Sequence, residues 1–114
     1  KHPYDSSSEF LNDQVLGARA LICSRNESAP LIDRVTALQV AGLCGEPGVL
    51  DYCRTLVAGG QAEGQTMLMV SAIAVIGNGG GTGDLDLLSR HRLSADIRLR
   101  ESTRIAMRRI DARS

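Results

Sequence analysis

Apolar residues recur along the chain at intervals of three and four, the period of a helix with one buried face. In the first segment Phe10, Leu11, Val15, Ala18 and Ile22 form such a stripe, and Ser6 followed by Glu9 has capping-box spacing just before it. From Pro30, a residue suited to a first helical turn, Leu31, Val35, Leu38 and Gly42 repeat the pattern. Gly45-Glu46-Pro47-Gly48 breaks the chain. A third segment carries Val49, Leu50, Cys53, Leu56 and Val57 and ends at Gly59-Gly60. Residues 67–77 are apolar nearly all round, and their length and alanine content favour a buried helix over a strand. A glycine-rich stretch over 77–83 follows, then a short helix from Asp84 that buries Leu85, Leu87 and Leu88. Ser94, with Asp96 in the first turn, is expected to open a last helix through Ile110. The reading is all-α, with six helices and short connections.

A repeat underlies the pattern. Shifted by 35 residues, Thr36–Gly42 falls on Ser71–Gly77, and seven of the 21 pairs from 36/71 to 56/91 are identical. This composition would give roughly one or two identities by chance. The shared residues include Gly45 and Gly80, Gly48 and Gly83, Leu50 and Leu85, and Asp51 and Asp86. The glycines are expected to stop one helix and start the turn into the next. A shorter third copy, Arg100–Ile110, follows at a shift nearer 31.

The phrases Arg34-Val35-Thr36-Ala37-Leu38, Gly42-Leu43-Cys44-Gly45-Glu46-Pro47 and Arg98-Leu99-Arg100-Glu101-Ser102 with Met107-Arg108-Arg109-Ile110 resemble HEAT-like (armadillo-type) helical repeats. The second copy departs from that pattern, with Met69 at the arginine position and Gly80-Gly81-Thr82 at the Gly-Glu-Pro turn. The resemblance covers about residues 31–111. It implies one short right-handed α-solenoid over 1–114, built of three antiparallel hairpins at about 6–44, 48–78 and 83–111. It also implies that the second helix of each pair lines an inner surface. Asp33, Thr36, Gln39, Val40, Gln65, Met69, Ser71 and Val75 would then lie in or near that surface.

Length and charge narrow the function classes. The 114 residues suffice for one core. No run approaches the ~20 apolar residues of a membrane span. Tyr4, Phe10 and Tyr52 are the only aromatics, which disfavours aromatic cages and base-stacking platforms. Net charge is zero, but residues 1–89 sum to −5 and residues 90–114 to +5. On the last helix Leu99, Thr103, Ala106, Met107 and Ile110 gather on one side, while Arg100, Arg104 and Arg108 form an i, i+4 row on another. That row reads either as a ridge for acidic protein or phosphate, or as the solvated face of a capping helix.

Other chemistry finds little support. The stretch 77–83 lacks the lysine of a phosphate loop and the spacing of a dinucleotide fingerprint, so an ordinary turn is expected. Cys23, Cys44 and Cys53 have no ligand-like spacing, and His2 and His91 do not join them, so no metal site is expected. They read as buried free thiols, and a Cys44–Cys53 bridge would strain its Cα separation. Asp33, Asp51, Asp84 and Asp86 sit like helix-start or exposed-face residues. The chain begins Lys1-His2-Pro3 without Met, as a processed product or an excised part would. Compartment is not readable.

These observations point to a non-catalytic protein-binding module with no cofactor. It would act through the inner face, the basic last helix, or both, with nucleic acid behind acidic protein as partner. The alternatives are a phosphate-backbone binder using the C-terminal arginines, an exported immunity or inhibitor-type accessory protein, and a HEAT-like enzyme subunit.

Overall fold

The computed structural model describes residues 5–59 and 64–114, with side chains from residue 15 onward. The fold is all-α: α1 (Asp5–Arg25), α2 (Leu31–Cys44), α3 (Val49–Ala58), α4 (Thr66–Gly79), α5 (Leu85–Ser89) and α6 (Ile97–Arg113), with a 3-10 turn at Thr82–Asp84. Among the described residues there is no strand. Among the described residues no helix is long and apolar enough to cross a membrane. The chain forms two compact units, Lys1–Val49 and Leu50–Ser114.

The first unit is an antiparallel pair, α1 and α2. Near the connection the buried Arg34 donates from Nε to the Ser24 carbonyl at 3.0 Å. This places a cation against the C-terminal end of α1, where the helix dipole favours it. At the far end the close contact is Gly17, where a Cβ would lie 3.0 Å from the Cys44 Cβ. The buried face of α1 is therefore Gly17, Ala20, Leu21 and Ser24. The expected stripe is turned outward, with Val15 at 44% exposure and Ile22 at 69%. Small residues let α2 approach, and that outweighs the larger apolar area of the other face. The side chains of Ser6, Glu9, Phe10 and Leu11 lie outside the described residues.

Helix α2 ends in a Schellman motif. Gly45, at φ +63°, donates to the Gly42 carbonyl, and Glu46 donates to the Ala41 carbonyl. A side chain at Gly45 would be strained by the left-handed backbone. The repeat predicts the same role for Gly80, but Gly80 is extended (φ −83°, ψ −172°) and Gly83 lies inside the 3-10 turn. The two turn pairs, Gly45 with Gly80 and Gly48 with Gly83, thus match in sequence but not in conformation. Helix α4 also runs on to Gly79, so the expected loop over 77–83 is reduced to Gly80 and Gly81.

The second unit is organised by like helices lying side by side. Helices α4 and α6 run parallel: Arg98 Nη1 lies 3.6 Å from Met67 Sδ, Ser102 Oγ donates to the Val70 carbonyl, and Arg109 donates to Asn78 Oδ1. At Gly77 the two backbones come so close that a Cβ would sit 2.7 Å from Ala106 Cα. The region of α3 pairs in the same sense with the chain around α5, through Arg54 to Asp84 and His91 to the Val57 carbonyl. The partners in the polar contacts are 30 to 34 residues apart in sequence, and Gly77 and Ala106 are 29 apart.

Burial follows the repeat at its centre. Ala37, Leu38 and Ala41 are buried in α2, and their shifted counterparts Ala72, Ile73 and Ile76 are buried in α4. In α3, Val49, Cys53 and Val57 are buried, while Leu50 and Leu56 are half-buried. In α6 the buried positions are Leu99, Thr103, Ala106 and Ile110, with Met107 at the edge. The Thr103 hydroxyl is buried there without a hydrogen-bond partner among the described residues.

Gly77→Ala should therefore destabilise the protein by about 1–3 kcal/mol through overpacking against Ala106. Gly81→Ala, which meets nothing within 4 Å, should be near neutral. Urea unfolding of the two variants checks the contrast.

Candidate interaction surface

The residues expected to carry partner contacts fall into three groups. Asp33, Thr36 and Gln39 are exposed on α2, Val40 is half-buried beside them, and Gln65 is half-buried just before α4. Met69, Ser71 and Val75 are different: they are 3%, 3% and 9% exposed and offer no surface. Helix α4 is apolar on nearly every side, and such a helix belongs to an interior. Its outward positions are instead Met67, Ala74 and Asn78. These are the 35-residue counterparts of Ile32, Gln39 and Leu43, all exposed on α2, and lie 31 residues before Arg98, Ile105 and Arg109, all exposed on α6. The repeat register identifies this row, whereas composition alone does not.

The arginines of α6 divide by what they touch. Arg109 and Arg113 donate to Asn78 Oδ1 and to the Gly80 carbonyl, each at 2.8 Å. Both act at the C-terminal end of α4, where carbonyls lack helical partners and the dipole favours a cation. On the far flank Arg100, half-buried, donates to the Ser94 carbonyl at 3.0 Å. Arg104 pairs with Glu101 at 2.8 Å, with both side chains about half exposed. Arg108 is exposed and makes no hydrogen bond or ion pair among the described residues. The sequence-predicted row therefore exists; Glu101 pairs with Arg104 in the middle and is also near Arg100, while Arg108 has no ion pair among the described residues.

The start of α6 sets the orientation of that row. Asp96, and not Ser94, is the N-cap: its Oδ1 accepts from the Arg98 backbone N–H at 2.9 Å. Ser94 Oγ accepts from the Asp96 N–H one turn earlier. Asp96 also pairs with the Arg98 side chain, and these bonds hold its carboxyl below the usual carboxylate range. Glu101 is lowered in the same way by Arg104.

Asp84, which the sequence places as a helix-start or exposed-face residue, stands immediately before α5 but is buried. Arg54 Nε donates to Asp84 Oδ1 at 2.7 Å and Nη2 to Oδ2 at 3.1 Å, a bidentate pair. Oδ2 also accepts the Gly81 N–H at 3.0 Å. The Arg54 hydrogen bonds hold the Asp84 carboxyl below its ordinary range, against the opposing effect of burial. The anion-seeking N–H of the glycine turn is thus already occupied by the chain's own carboxylate. Asp33, Asp51 and Asp86 are exposed, as expected.

The cysteines are free: Cys53 is buried, Cys23 half-buried and Cys44 exposed. The expectation of three buried thiols thus holds only for Cys53. Burial pushes the Cys53 thiol up to about 12, so it stays protonated at neutral pH. The His91 ring contacts the Val57 carbonyl at 3.2 Å. Among the described residues no three His, Cys, Asp or Glu side chains gather as metal ligands. Family models, curated proteins and solved structures give no match to this chain.

Replacing Asp84 should expose the worth of its pair. Asp84→Asn should lower unfolding free energy by about 1–2 kcal/mol near pH 7, since Arg54 is partly solvated. A lowered carboxyl stabilises the fold fully above its unfolded value of about 3.9 and loses that contribution as pH falls further. The gap between wild type and Asp84→Asn in denaturant titrations should therefore close below about pH 4.

Proposed function

We propose that this protein is a non-catalytic binding module whose basic C-terminal helix docks an acidic protein surface. The observation that carries the reading is the arginine flank of α6, where Arg100 and Arg108 make no hydrogen bond or close ion pair to a carboxylate among the described residues. Every basic residue after Lys1 is arginine, which holds carboxylates through two parallel bonds. The groups best suited to chemistry are otherwise engaged, Asp84 with Arg54 and the Cys53 thiol in the core.

The module is proposed to be a HEAT-like solenoid of stacked hairpins. Support comes from the parallel pairing of α4 with α6, and from contacts 30 to 34 residues apart that track the sequence repeat. The α2 residues Asp33, Thr36, Gln39 and Val40 in the first unit, and separately Gln65 in the second, remain candidates for partner contact. Met69, Ser71 and Val75 drop out because they are buried.

The test is the triple reversal Arg100→Glu, Arg104→Glu, Arg108→Glu, with far-ultraviolet dichroism to verify the fold. Binding to polyglutamate should weaken in the variant, more at low salt than at high, because exposed charges are screened. Unchanged affinity at both salt levels would return the row to plain surface. Tighter binding to random-sequence duplex DNA than to polyglutamate would replace acidic protein with a phosphate backbone.

A further inference from the structure

The arginine row of α6 contains a carboxylate of its own. Arg100, Arg104 and Arg108 recur at every fourth residue and together span about 12 Å along the helix. Glu101 stands between the first two, and its Oε1 accepts from Arg104 Nε at 3.1 Å and from Arg104 Nη2 at 2.8 Å. Those two donors form one edge of the guanidinium fork, an edge with which an arginine grips a carboxylate arriving from outside. The other two arginines differ. Arg100 Nη1 donates to the neutral Ser94 carbonyl, and Arg108 makes no hydrogen bond or close ion pair among the described residues. Hydrogen bonding to Arg104 and the nearby charge of Arg100 hold the Glu101 carboxyl below its ordinary range. The Glu101 side chain is about half exposed, so it can swing into water without opening the core.

We infer that Glu101 is an autoinhibitory contact, occupying the middle of the row until an acidic partner displaces it. The inference rests on the docking role proposed above and adds how the site selects its partner. At Arg104 an incoming carboxylate exchanges one charge-assisted pair for another, with little net gain. An isolated carboxylate therefore gains little at the centre of the row. A run of carboxylates long enough to reach Arg100 and Arg108 together is held at both ends while the exchange takes place. The exposed Glu101–Arg104 pair is weak enough to be broken in that exchange. Glu101 thus makes the row respond to extended acidic segments more than to scattered acidic groups.

The experiment is a double-mutant cycle on Glu101 and Arg104, read as the affinity of the full chain for fluorescently labelled polyglutamate at low salt. Glu101→Gln should bind about three- to fivefold more tightly than wild type, the factor that breaking an exposed ion pair costs. Asp111→Asn is the control, because Asp111 is an exposed carboxylate on the same helix with no close ion pair among the described residues. It should gain less than about twofold, the effect of net charge alone. Arg104→Gln should weaken binding less than about twofold in the wild type, but about three- to fivefold in the Glu101→Gln background.

Equal gains from Glu101→Gln and Asp111→Asn, with the same Arg104→Gln loss in both backgrounds, would reduce Glu101 to its share of the net charge. That result would overturn the inference and leave the docking role standing. Weaker binding by Glu101→Gln would also overturn it, by making the pair a brace that pre-orders Arg104. Failure of all these proteins to bind polyglutamate would overturn the docking role together with the inference.

Discussion

The contact between Gly77 and Ala106 is the constraint from which the rest of the second unit follows. With no side chain at Gly77, α4 and α6 approach until a methyl group would not fit between them. At that distance the helices cannot slide freely, and the register brings Met67 to Arg98 and Asn78 to Arg109. Leu99, Thr103 and Ile110 are then buried on the inner side of α6. The outward rows of both helices become one surface as a consequence of that register.

Charge is distributed to match. Arg109 and Arg113 neutralise the end of α4, so part of the basic excess of residues 90–114 serves the fold, while Arg54 meets Asp84 to hold the glycine turn. On the far flank of α6 the one close ion pair among the described residues is Arg104 with Glu101. A surface whose cations are partly satisfied by neutral carbonyls keeps its positive charge while losing side-chain freedom. Such pre-ordered guanidinium groups lower the entropic cost of meeting a carboxylate.

Much of this was legible in the sequence, and the parts that were not have physical causes. Helix positions and the central burial of Ala37, Leu38, Ala72, Ile73 and Ile76 follow from period and repeat. The buried face of α1 was misread because hydropathy weighs Val15 and Ile22 above Gly17, Ala20 and Ser24. Close packing rewards the small residues instead. Met69, Ser71 and Val75 were misplaced because a helix apolar on nearly all sides has no stripe to orient it. The Gly80–Gly83 turn departed from its counterpart because the Asp84 carboxylate, invisible to local pattern, reaches back to Gly81 and across to Arg54. The arginine row was readable directly from i, i+4 spacing.

The most direct measurement is a pair of spin-label distances in the full chain with its native cysteines replaced. Labels at positions 67 and 98 should lie close together, whereas labels at 67 and 109 should be farther apart by roughly the 16 Å that eleven helical residues span. A short distance at 67/109 with a long one at 67/98 would mean that α4 and α6 run in opposite directions. The shared surface and the role built on it would then be lost.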